Sequence, residues 1–385
     1  MRRSTPIAVG VTALLLALAW QYLTVRFNYG MNWTALFHTG ESTALPPSPS
    51  DQSIYRFPGS KGYEGMFYRL IAHDPLFTRG YAAYVDNPRV RWRQILVPGM
   101  ANIFSAGRDS LIDYSCIAVT LLFVLLGGLW LSRYCVLNGL HPGWGMAFLL
   151  IPSVLISIDR QTVDTAAAAL LVGFMLYCAR APYKAYALLA FLPLARETGL
   201  CITAGAMILE WRRRHWERLI LAAISIVPFV AWVGYVSLHT SRDRTPWLSL
   251  PFMGLLTRTL NPVQYPLTGP WVKLAAVLDY TAVLGIWLAL AFVVYVVLRR
   301  PVGMLGTCMA VFSLAIVFLA RADIWEGAYE FGRSTSPLLV MLMMFAISTK
   351  EYRYLLPMIF VLPRILLQYQ PQVSGIVSGI FGQRL

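Results

Sequence analysis

The first segment able to carry chemistry is Tyr63-Glu64-Gly65-Met66-Phe67-Tyr68, a carboxylate set among aromatic residues and followed by glycine. A carboxylate in this setting can accept a proton from a hydroxyl group or coordinate a cation, and the glycine allows a substrate to approach closely. Glu64 also stands at the start of a predicted helix, where the helix dipole stabilises a negative charge. The sequence therefore leaves two interpretations open, a functional carboxylate and a helix cap.

The residues after this carboxylate predict a short amphipathic helix. Phe67, Leu70 and Ile71 follow the i, i+3, i+4 spacing of one helix face. This pattern suits a helix that lies on the membrane surface rather than one that crosses the membrane. The chain's five histidines are dispersed, and His73, beside Asp74, is the one that remains a site candidate.

Two short polar breaks interrupt apolar runs farther along the chain. In the first, Asp159 and Asp164 flank Arg160, an arrangement that suits an anionic ligand with a metal, although Asp164 also suits a helix N-terminus. The second break is Arg196-Glu197. A charge at the centre of a membrane helix costs about 2.5–3.5 kcal/mol, so a charged break between short apolar runs favours a functional site.

A third break, residues 321–334, is dense in charge. Its charged residues include four at steps of three, four and three: Asp323, Glu326, Glu330 and Arg333. If the stretch is helical, these four share one face, and a salt-bridged surface turn is the alternative. Arg333 is singled out because it precedes the next apolar run, where an arginine can hold a phosphate by paired hydrogen bonds.

The elements that position these breaks are membrane helices. The 385 residues are 57% hydrophobic and only 13% charged, which excludes a water-soluble fold. Because a spanning helix needs about 20 mostly apolar residues, the runs predict an all-α polytopic bundle of about 11 transmembrane helices, with residues 1–385 as one transmembrane domain. The predicted spans are 7–25, 111–131, 144–158, 163–179, 184–195, 198–210, 219–238, 273–298, 302–320, 335–349 and 352–369.

The basic loops predict the orientation, because Lys and Arg concentrate on the cytoplasmic side of a membrane. A cytoplasmic N-terminus places nearly all of the basic clusters on that side. The clusters are Arg2-Arg3, Arg133, Arg180 with Lys184, Arg212-Arg213-Arg214 with Arg218, Arg299-Arg300, and Lys350 with Arg353. Residues 26–110 then form a large first extracytoplasmic loop carrying interfacial helices, and the chemistry-capable breaks share its side of an inner membrane.

Two broad function classes are disfavoured. The net charge of +14 falls largely in the short loops between spans, so it does not indicate a nucleic-acid partner. The chain lacks a glycine-rich phosphate loop, a His-Glu-x-x-His zinc motif and a Gly-x-Ser-x-Gly elbow. Nucleotide-driven work is therefore not expected.

The motifs, taken with the long first loop and many spans, resemble the GT-C class of integral-membrane glycosyltransferases. The resemblance is carried by the Tyr-Glu-Gly-Met-Phe-Tyr stretch at 63–68, by Arg196-Glu197-Thr198 and by Phe331-Gly332-Arg333-Ser334. The chain is especially similar to bacterial proteins of this type implicated in cell-surface glycopolymer formation. That likeness places it in a bacterial inner membrane.

The resemblance implies transfer of a sugar, with inversion, from a polyprenyl-phosphate-linked donor to an envelope glycan, lipid or protein acceptor. Glu64 would be the general base or an electrostatic partner of the acceptor hydroxyl, at a position where the family commonly has aspartate. The residues expected to bind substrate are Tyr63, Tyr68, Arg160, Arg196, Glu197 and Arg333. A divalent cation, Mg²⁺ or Mn²⁺, could be held by carboxylates, with Asp159 and Glu326 as the expected metal residues.

Two other functions stay open on the sequence. A transporter or flippase of a lipid-linked sugar would also explain buried charge and broken helices, and it predicts access from both sides of the membrane. A non-catalytic protein of envelope-polymer assembly would use Glu64 only as a cap. The convergence of Glu64, Arg196 and Arg333 on one outward-opening cavity is required of a shared catalytic site.

Overall fold

The apolar runs fold into a helical bundle, and the computed structural model describes residues 4–47, 53–241, 250–261, 263, 269–319 and 322–382. The α-helices of the first half are α1 (Ser4–Asn28), α2 (Gly65–His73), α3 (Pro88–Arg91), α4 (Leu96–Phe104), α5 (Asp109–Leu137), α6 (Pro152–Arg160), α7 (Asp164–Tyr177), α8 (Pro182–Ala195) and α9 (Gly199–Arg212). Those of the second half are α10 (Trp216–Ile224), α11 (Val227–His239), α12 (Met253–Leu260), α13 (Pro270–Arg299), α14 (Met304–Phe318), α15 (Ala322–Glu326), α16 (Ala328–Thr349), α17 (Leu356–Leu366) and α18 (Gln370–Phe381).

Extended structure is minimal. The structure is 77% helical, which confirms the predicted all-α class. Two short strands, β1 (Thr39–Gly40) and β2 (Arg56–Phe57), pair in parallel with Thr39 opposite Arg56. Short 3-10 helices cover Trp33–Phe37, Tyr81–Tyr84, Pro142–Leu150, Tyr352–Leu355 and Leu367–Tyr369.

The protein is a multi-pass membrane protein. Within the described ranges, five stretches are long and apolar enough to cross a membrane: Thr5–Asn28, Asp109–Leu137, Trp216–His239, Pro270–Arg299 and Ala328–Thr349. The pair Pro142–Leu150 and Pro152–Arg160, whose axes differ by 62°, is either a broken span, which would be the sixth, or a re-entrant loop. The helices Asp164–Tyr177 and Met304–Phe318 are apolar but shorter.

The bend at residue 151 follows from its neighbour. Pro152 has no backbone N–H to continue the preceding helix and disfavours a helical conformation at Ile151. Ile151 is accordingly extended, with φ −67° and ψ 125°, and Pro152 becomes the first residue of α6. After this bend, α6 runs into the protein and ends at Arg160, next to residues of the first loop.

The predicted position of the helix after Glu64 is wrong. All nine residues of α2 are buried, and the helix packs against α4 and α5 rather than on a membrane surface. The apolar face of Phe67, Leu70 and Ile71 is present, but the opposite face is covered as well. This helix of the first loop is therefore part of the interior of the bundle.

The helix that carries Arg333 starts earlier than its apolar run predicts. α16 begins at Ala328, seven residues before the predicted span, and is separated from α15 by Gly327. The single helical face expected for the four charged residues of 321–334 is therefore interrupted. Glu326 is exposed at the end of α15, whereas Arg333 is buried within α16; Arg321 and the side chain of Asp323 lie outside the described residues.

The two ends of the bundle differ in charge. At one end of the bundle, α5, α7 and α16 end and α14 begins. These helix ends surround a cavity of about 360 Å³, whose lining residues include Asn138, Arg180, Gly303 and Ser348. Arg300 forms an ion pair with Glu351 near the same end. The predicted basic clusters thus gather there, apart from Arg2 and Arg3, which lie outside the described residues. The charged breaks gather at the opposite end.

Candidate functional site

Glu64 is held by two arginines rather than by the backbone of α2. Its Oε1 lies 2.8 Å from Nη1 of Arg91, and its Oε2 lies 2.6 Å from Nη2 of Arg333. The Tyr68 hydroxyl donates to Oε2 at 3.2 Å. Glu64 occupies the N-cap position, but its side chain accepts no cap hydrogen bond. Glu64 therefore stands at the start of α2, as predicted, but it does not cap the helix by a hydrogen bond.

Arg333 connects this carboxylate to a second one. Its Nε donates to Oδ2 of Asp164 at 2.6 Å and its Nη1 donates to the Tyr63 hydroxyl at 3.2 Å. Its side chain is only 3% exposed, so these bonds form in an interior where water competes little. Asp164 is also ion-paired with Arg196. The result is one alternating series, which we call the ion-pair chain: Arg91, Glu64, Arg333, Asp164 and Arg196.

Local structure explains how these residues meet. Asp164 is the first residue of α7, and Arg196 ends α8 in an extended conformation, with φ −157° and ψ 132°. Arg333 lies in the second turn of α16. Helix ends from three parts of the sequence therefore present their charges at one level of the bundle, beneath α2.

The electrostatics fix the protonation of Glu64. Burial alone would raise the pKa of Glu64, but the Arg333 and Arg91 guanidiniums outweigh it and hold the pKa well below the usual range. Burial raises the pKa values of the neighbouring Tyr63 and Tyr68 phenols. At neutral pH the carboxylate is therefore ionised, and the phenols stay protonated as hydrogen-bond donors.

Glu197 has the opposite balance. Burial raises its pKa above the usual range, although Nη1 of Arg93 lies 3.0 Å from its Oε1. Glu64 and Glu197 thus differ in proton affinity, because Glu64 is ion-paired with two arginines and Glu197 with one. Such a difference is typical of sites that move protons.

These groups line a cavity with two kinds of wall. Its volume is about 450 Å³. The charged wall consists of Glu64, Asp86, Arg91, Arg196, Glu197, Glu330 and Arg333. The apolar wall consists of Phe312, Ala315 and Ile316 of α14 together with Leu319 and Ile324. We call the whole the two-walled cavity. The cavity can therefore receive a ligand with an anionic group and an apolar body.

No protein-family model, curated protein or solved structure matches this chain. The chemistry of the site is consequently inferred from its own groups. The ion-pair chain has three guanidiniums and two carboxylates, whereas the cavity lining as a whole has three guanidiniums and four carboxylates. An anion in the cavity is therefore attracted locally, by direct approach to an arginine, and not by the net charge of the lining.

The structure brings together most of the predicted substrate residues but not all of them. Glu64, Arg196, Glu197 and Arg333 line the cavity, and Tyr63 and Tyr68 bond to members of the ion-pair chain. Arg160 does not line it. Its Nε lies 3.1 Å from Oδ2 of Asp159, and its Nη1 contacts His38.

The expected metal residues are also apart from the cavity. Asp159 is buried and accepts a hydrogen bond from the Tyr329 hydroxyl at 3.0 Å, whereas Glu326 is exposed. Neither residue lines the cavity. Among the described residues, no group of three or more His, Cys, Asp and Glu is arranged to hold a metal ion. Dependence on Mg²⁺ or Mn²⁺ stays a prediction.

His73 belongs to a different buried cluster. Its Nδ1 lies 2.8 Å from Oδ1 of Asp109, and its Nε2 lies 3.4 Å from Oδ1 of Asp113. Arg69 donates to both oxygens of Asp113 at 2.7 and 2.9 Å. These contacts join α2 to α5, so His73 positions the helix that follows Glu64 rather than lining the cavity.

Sequence reasoning missed Arg91, which holds Glu64 from the same loop. The signal that could have found it is the run Arg89-Val90-Arg91-Trp92-Arg93, in which three arginines alternate with apolar residues. Asn87 caps this short helix through a hydrogen bond from the Val90 N–H at 3.2 Å. Arg91 pairs with Glu64, and Arg93 pairs with Glu197.

The predicted role of Gly65 is wrong. A Cβ at Gly65 would lie 2.1 Å from the Arg160 carbonyl oxygen and 3.0 Å from that of Phe37. The space expected for a substrate is therefore filled by the protein's own backbone. Gly65 allows α2 to pack against the end of α6, which in turn sets the position of Glu64.

Gly65→Ala is expected to lower the free energy of unfolding by about 3 kcal/mol, because backbone must move to admit the methyl group. Gly99→Ala is the matched control. A Cβ there would meet only the Ile95 side chain, at 3.4 Å, and alanine is favoured over glycine inside a helix by about 0.5–1 kcal/mol. Denaturant unfolding in detergent measures both; equal midpoints would contradict the packing role.

Proposed function

We propose that this protein is a membrane glycosyltransferase of GT-C type that transfers a sugar from a polyprenyl-phosphate-linked donor to an envelope acceptor. The observation that supports it best is the two-walled cavity. A lipid-linked sugar phosphate has an apolar chain, an anionic phosphate and a polar sugar, and the cavity presents a matching surface to each. The proposed acceptor is a glycan, lipid or protein hydroxyl.

The arginines suit a departing phosphate. In the proposed reaction the acceptor oxygen bonds to the anomeric carbon while the bond from that carbon to the phosphate oxygen breaks, with inversion. The bonding electrons leave with the phosphate, and cationic groups stabilise the charge that develops there. Arg196 and Arg333 line the cavity side by side through their shared partner Asp164.

Glu64 suits the acceptor. Its low pKa makes it a weak proton acceptor, but an ionised carboxylate strongly attracts a hydroxyl hydrogen. We assign Glu64 the role of electrostatic partner, which orients the acceptor hydroxyl and favours the positive charge that builds on the sugar. The hydroxyl proton then passes to the leaving phosphate, which gains basicity as its bond to carbon breaks.

The proposed setting is a bacterial inner membrane with the N-terminus in the cytoplasm. The shorter helices α7, α8, α9, α14 and α17 would join the membrane-length helices to give about 11 spans, as such lengths are tolerated inside a bundle. The basic end would face the cytoplasm. The two-walled cavity would then open on the extracytoplasmic face, where polyprenyl-linked sugars react with envelope acceptors.

Ala315→Trp tests the apolar wall. Ala315 faces the cavity from α14, so an indole there would fill the space proposed for the lipid chain. We expect turnover of labelled polyprenyl-phosphate sugar by membranes to fall at least about 100-fold, since misplacing a reacting group by 1 Å can cost this much. Leu314→Trp is the control, because Leu314 is 59% exposed on another face of the same helix.

Three outcomes discriminate the candidate functions. Turnover by the parent and by Leu314→Trp, with loss in Ala315→Trp, supports the transferase. Undiminished turnover in Ala315→Trp would contradict the assignment of this cavity to the donor. No turnover by a parent that still restores envelope polymer in cells would favour a non-catalytic assembly role.

A flippase remains the second candidate because of one observation. The basic end also has a cavity, of about 360 Å³, and it shares no lining residue with the two-walled cavity. Alternating access predicts that the two cavities open in turn. Translocation of a fluorescent lipid-linked sugar across vesicles without sugar transfer would favour the flippase.

A further inference from the structure

A second apolar recess lies on the outside of the bundle, between α9 and α10. It has a volume of about 410 Å³ and is lined only by Ala204, Met207, Ile208, Trp211, Trp216 and Leu219. The four residues from α9 are spaced three, one and three apart, so they form one face of that helix. Because α10 follows α9 after a short turn and packs against it, we call the recess between the two helices the groove.

The connecting turn is strongly basic. Arg212, Arg213 and Arg214 are exposed there, directly beside the two groove tryptophans. Trp211 is 64% exposed and Trp216 is 57% exposed. Tryptophan prefers the level of lipid headgroups, where one part of the ring is apolar and the N–H reaches polar groups. The end of the groove at this turn therefore lies at headgroup depth.

The neighbouring carboxylates do not neutralise these arginines. Buried Glu210 accepts a hydrogen bond from the Tyr186 hydroxyl at 3.1 Å and contacts Nδ1 of His215 at 2.9 Å. Glu217 is bonded to the Tyr183 hydroxyl. Within the described part of the chain, Arg212, Arg213 and Arg214 form no ion pair with a carboxylate. The turn thus presents three guanidiniums to an external anion.

We propose that this groove is a binding site for an anionic membrane phospholipid, with an acyl chain in the groove and the phosphate on the arginines of the turn. Charge complementarity selects this occupant: a zwitterionic lipid adds a cationic headgroup beside the guanidiniums, and an apolar protein face supplies no counter-ion. Along the axis of α9, the arginines of the turn lie about 20 Å from Thr198 of the two-walled cavity, and the first groove residue, Ala204, lies about 9 Å from it. The groove and the cavity share no lining residue. The proposed lipid site is therefore separate from the donor site and does not depend on the proposed function.

Native mass spectrometry of the full chain in detergent tests this site with phosphatidylglycerol and phosphatidylcholine as probes. We expect one phosphatidylglycerol to bind at least about tenfold more tightly than phosphatidylcholine, because each arginine near a lipid phosphate contributes roughly 1 kcal/mol. Changing Arg212, Arg213 and Arg214 together to glutamine should remove that preference. The matched control changes Arg180, Lys184 and Arg299 to glutamine, which removes the same charge from other exposed positions of the basic end.

A second variant tests the groove independently of charge. Ala204→Phe fills the recess while all three arginines remain, so we expect both lipids to bind more weakly. Equal phosphatidylglycerol affinity in the two triple variants would mean unspecific lipid contact only and would overturn the site. Undiminished binding to Ala204→Phe would also overturn it, as would a mass that shows a second copy of the chain in place of lipid.

Discussion

Arg333→Gln is expected to lower the free energy of unfolding by about 3–5 kcal/mol and to abolish turnover. The guanidinium is buried between Glu64 and Asp164 and bonds to the Tyr63 hydroxyl as well. The variant leaves Glu64 paired only with Arg91 and Asp164 paired only with Arg196, and loss of one partner from a buried ion pair costs about 3–5 kcal/mol. Loss of the group beside the leaving phosphate adds a rate effect of about 10²–10³-fold.

Arg353→Gln is the matched control for stability. Arg353 also pairs with a glutamate, Glu351, at 2.6 Å, but its side chain is 48% exposed. An exposed pair of this kind contributes about 0–1 kcal/mol. Denaturant unfolding of both variants in the same detergent gives the comparison, and similar losses would mean that Arg333 is not part of a buried network.

A double variant separates the electrostatic cost from lost packing. If the lost ion pairs cause the instability, Glu64→Gln should restore part of the stability of Arg333→Gln, because it removes one of the two carboxylates that have lost a cationic partner. Neighbours in one network are expected to couple by about 0.5–3 kcal/mol. Strict additivity of the two losses would contradict the ion-pair chain as a coupled unit.

The helical bundle could be predicted from the sequence because a long membrane helix appears there as a long apolar run. The predicted spans 111–131 and 273–298 lie inside α5 (Asp109–Leu137) and α13 (Pro270–Arg299). An apolar run of that length has few alternatives in a membrane. The all-α class and the multi-pass character are confirmed for the same reason, whereas the count of about 11 spans depends on helices too short to decide from hydropathy.

The sequence could not place α2. Its apolar spacing is correct for an amphipathic helix, yet both faces are buried because α4, α5 and the backbone of Arg160 surround it. Periodicity reports which face is more apolar and not what covers the other face. The interpretation of Gly65 was wrong for the same reason. The space beside its Cα is filled by the carbonyl group of Arg160, a residue almost a hundred positions away in the sequence.

The sequence predicted most of the residues of the candidate site, but it did not predict which of them pair with one another. The break at Arg196 pointed to a site because charge is costly in a membrane. Glu64 was selected as a carboxylate between aromatic residues and a glycine, and Arg333 as an arginine before an apolar run. Their pairing is invisible locally, since Tyr63 and Arg333 are 270 positions apart and still hydrogen-bonded. The sequence predicts Asp164 at the start of a helix, and it is the first residue of α7. Its side chain also forms ion pairs with two arginines, Arg196 and Arg333, which the sequence did not predict.

Glu64→Gln is expected to reduce turnover by about 10²–10³-fold, because the variant keeps the volume and an acceptor oxygen but loses the charge that favours the transition state. Glu64→Asp keeps the charge and shortens the side chain by one methylene group. A displacement of about 1 Å can cost up to 100-fold. Both variants are measured with labelled polyprenyl-phosphate sugar, with Glu326→Gln as the control because that carboxylate is exposed and lies outside the cavity.

The pH dependence distinguishes an electrostatic partner from a general base. The pKa of Glu64 is held below its usual range by Arg333 and Arg91, so Glu64 stays ionised as the pH falls from 8 to 5. Its contribution to stability is present above the unfolded-state value and is lost only as the pH falls through the lowered folded-state pKa. Parent turnover should therefore show no acid limb from Glu64 in this interval.

A general base would behave differently. Its efficiency is greatest when its pKa is near the working pH. Turnover by the parent would then decline as the pH falls, and the midpoint of that decline would be absent from the pH profile of Glu64→Gln. If the parent shows such a midpoint between pH 5 and 8 and the variant does not, substrate must have displaced the arginines from Glu64. If both profiles are flat and differ only in height, the carboxylate acts through its fixed charge, and the arginines that hold it in place also set its protonation.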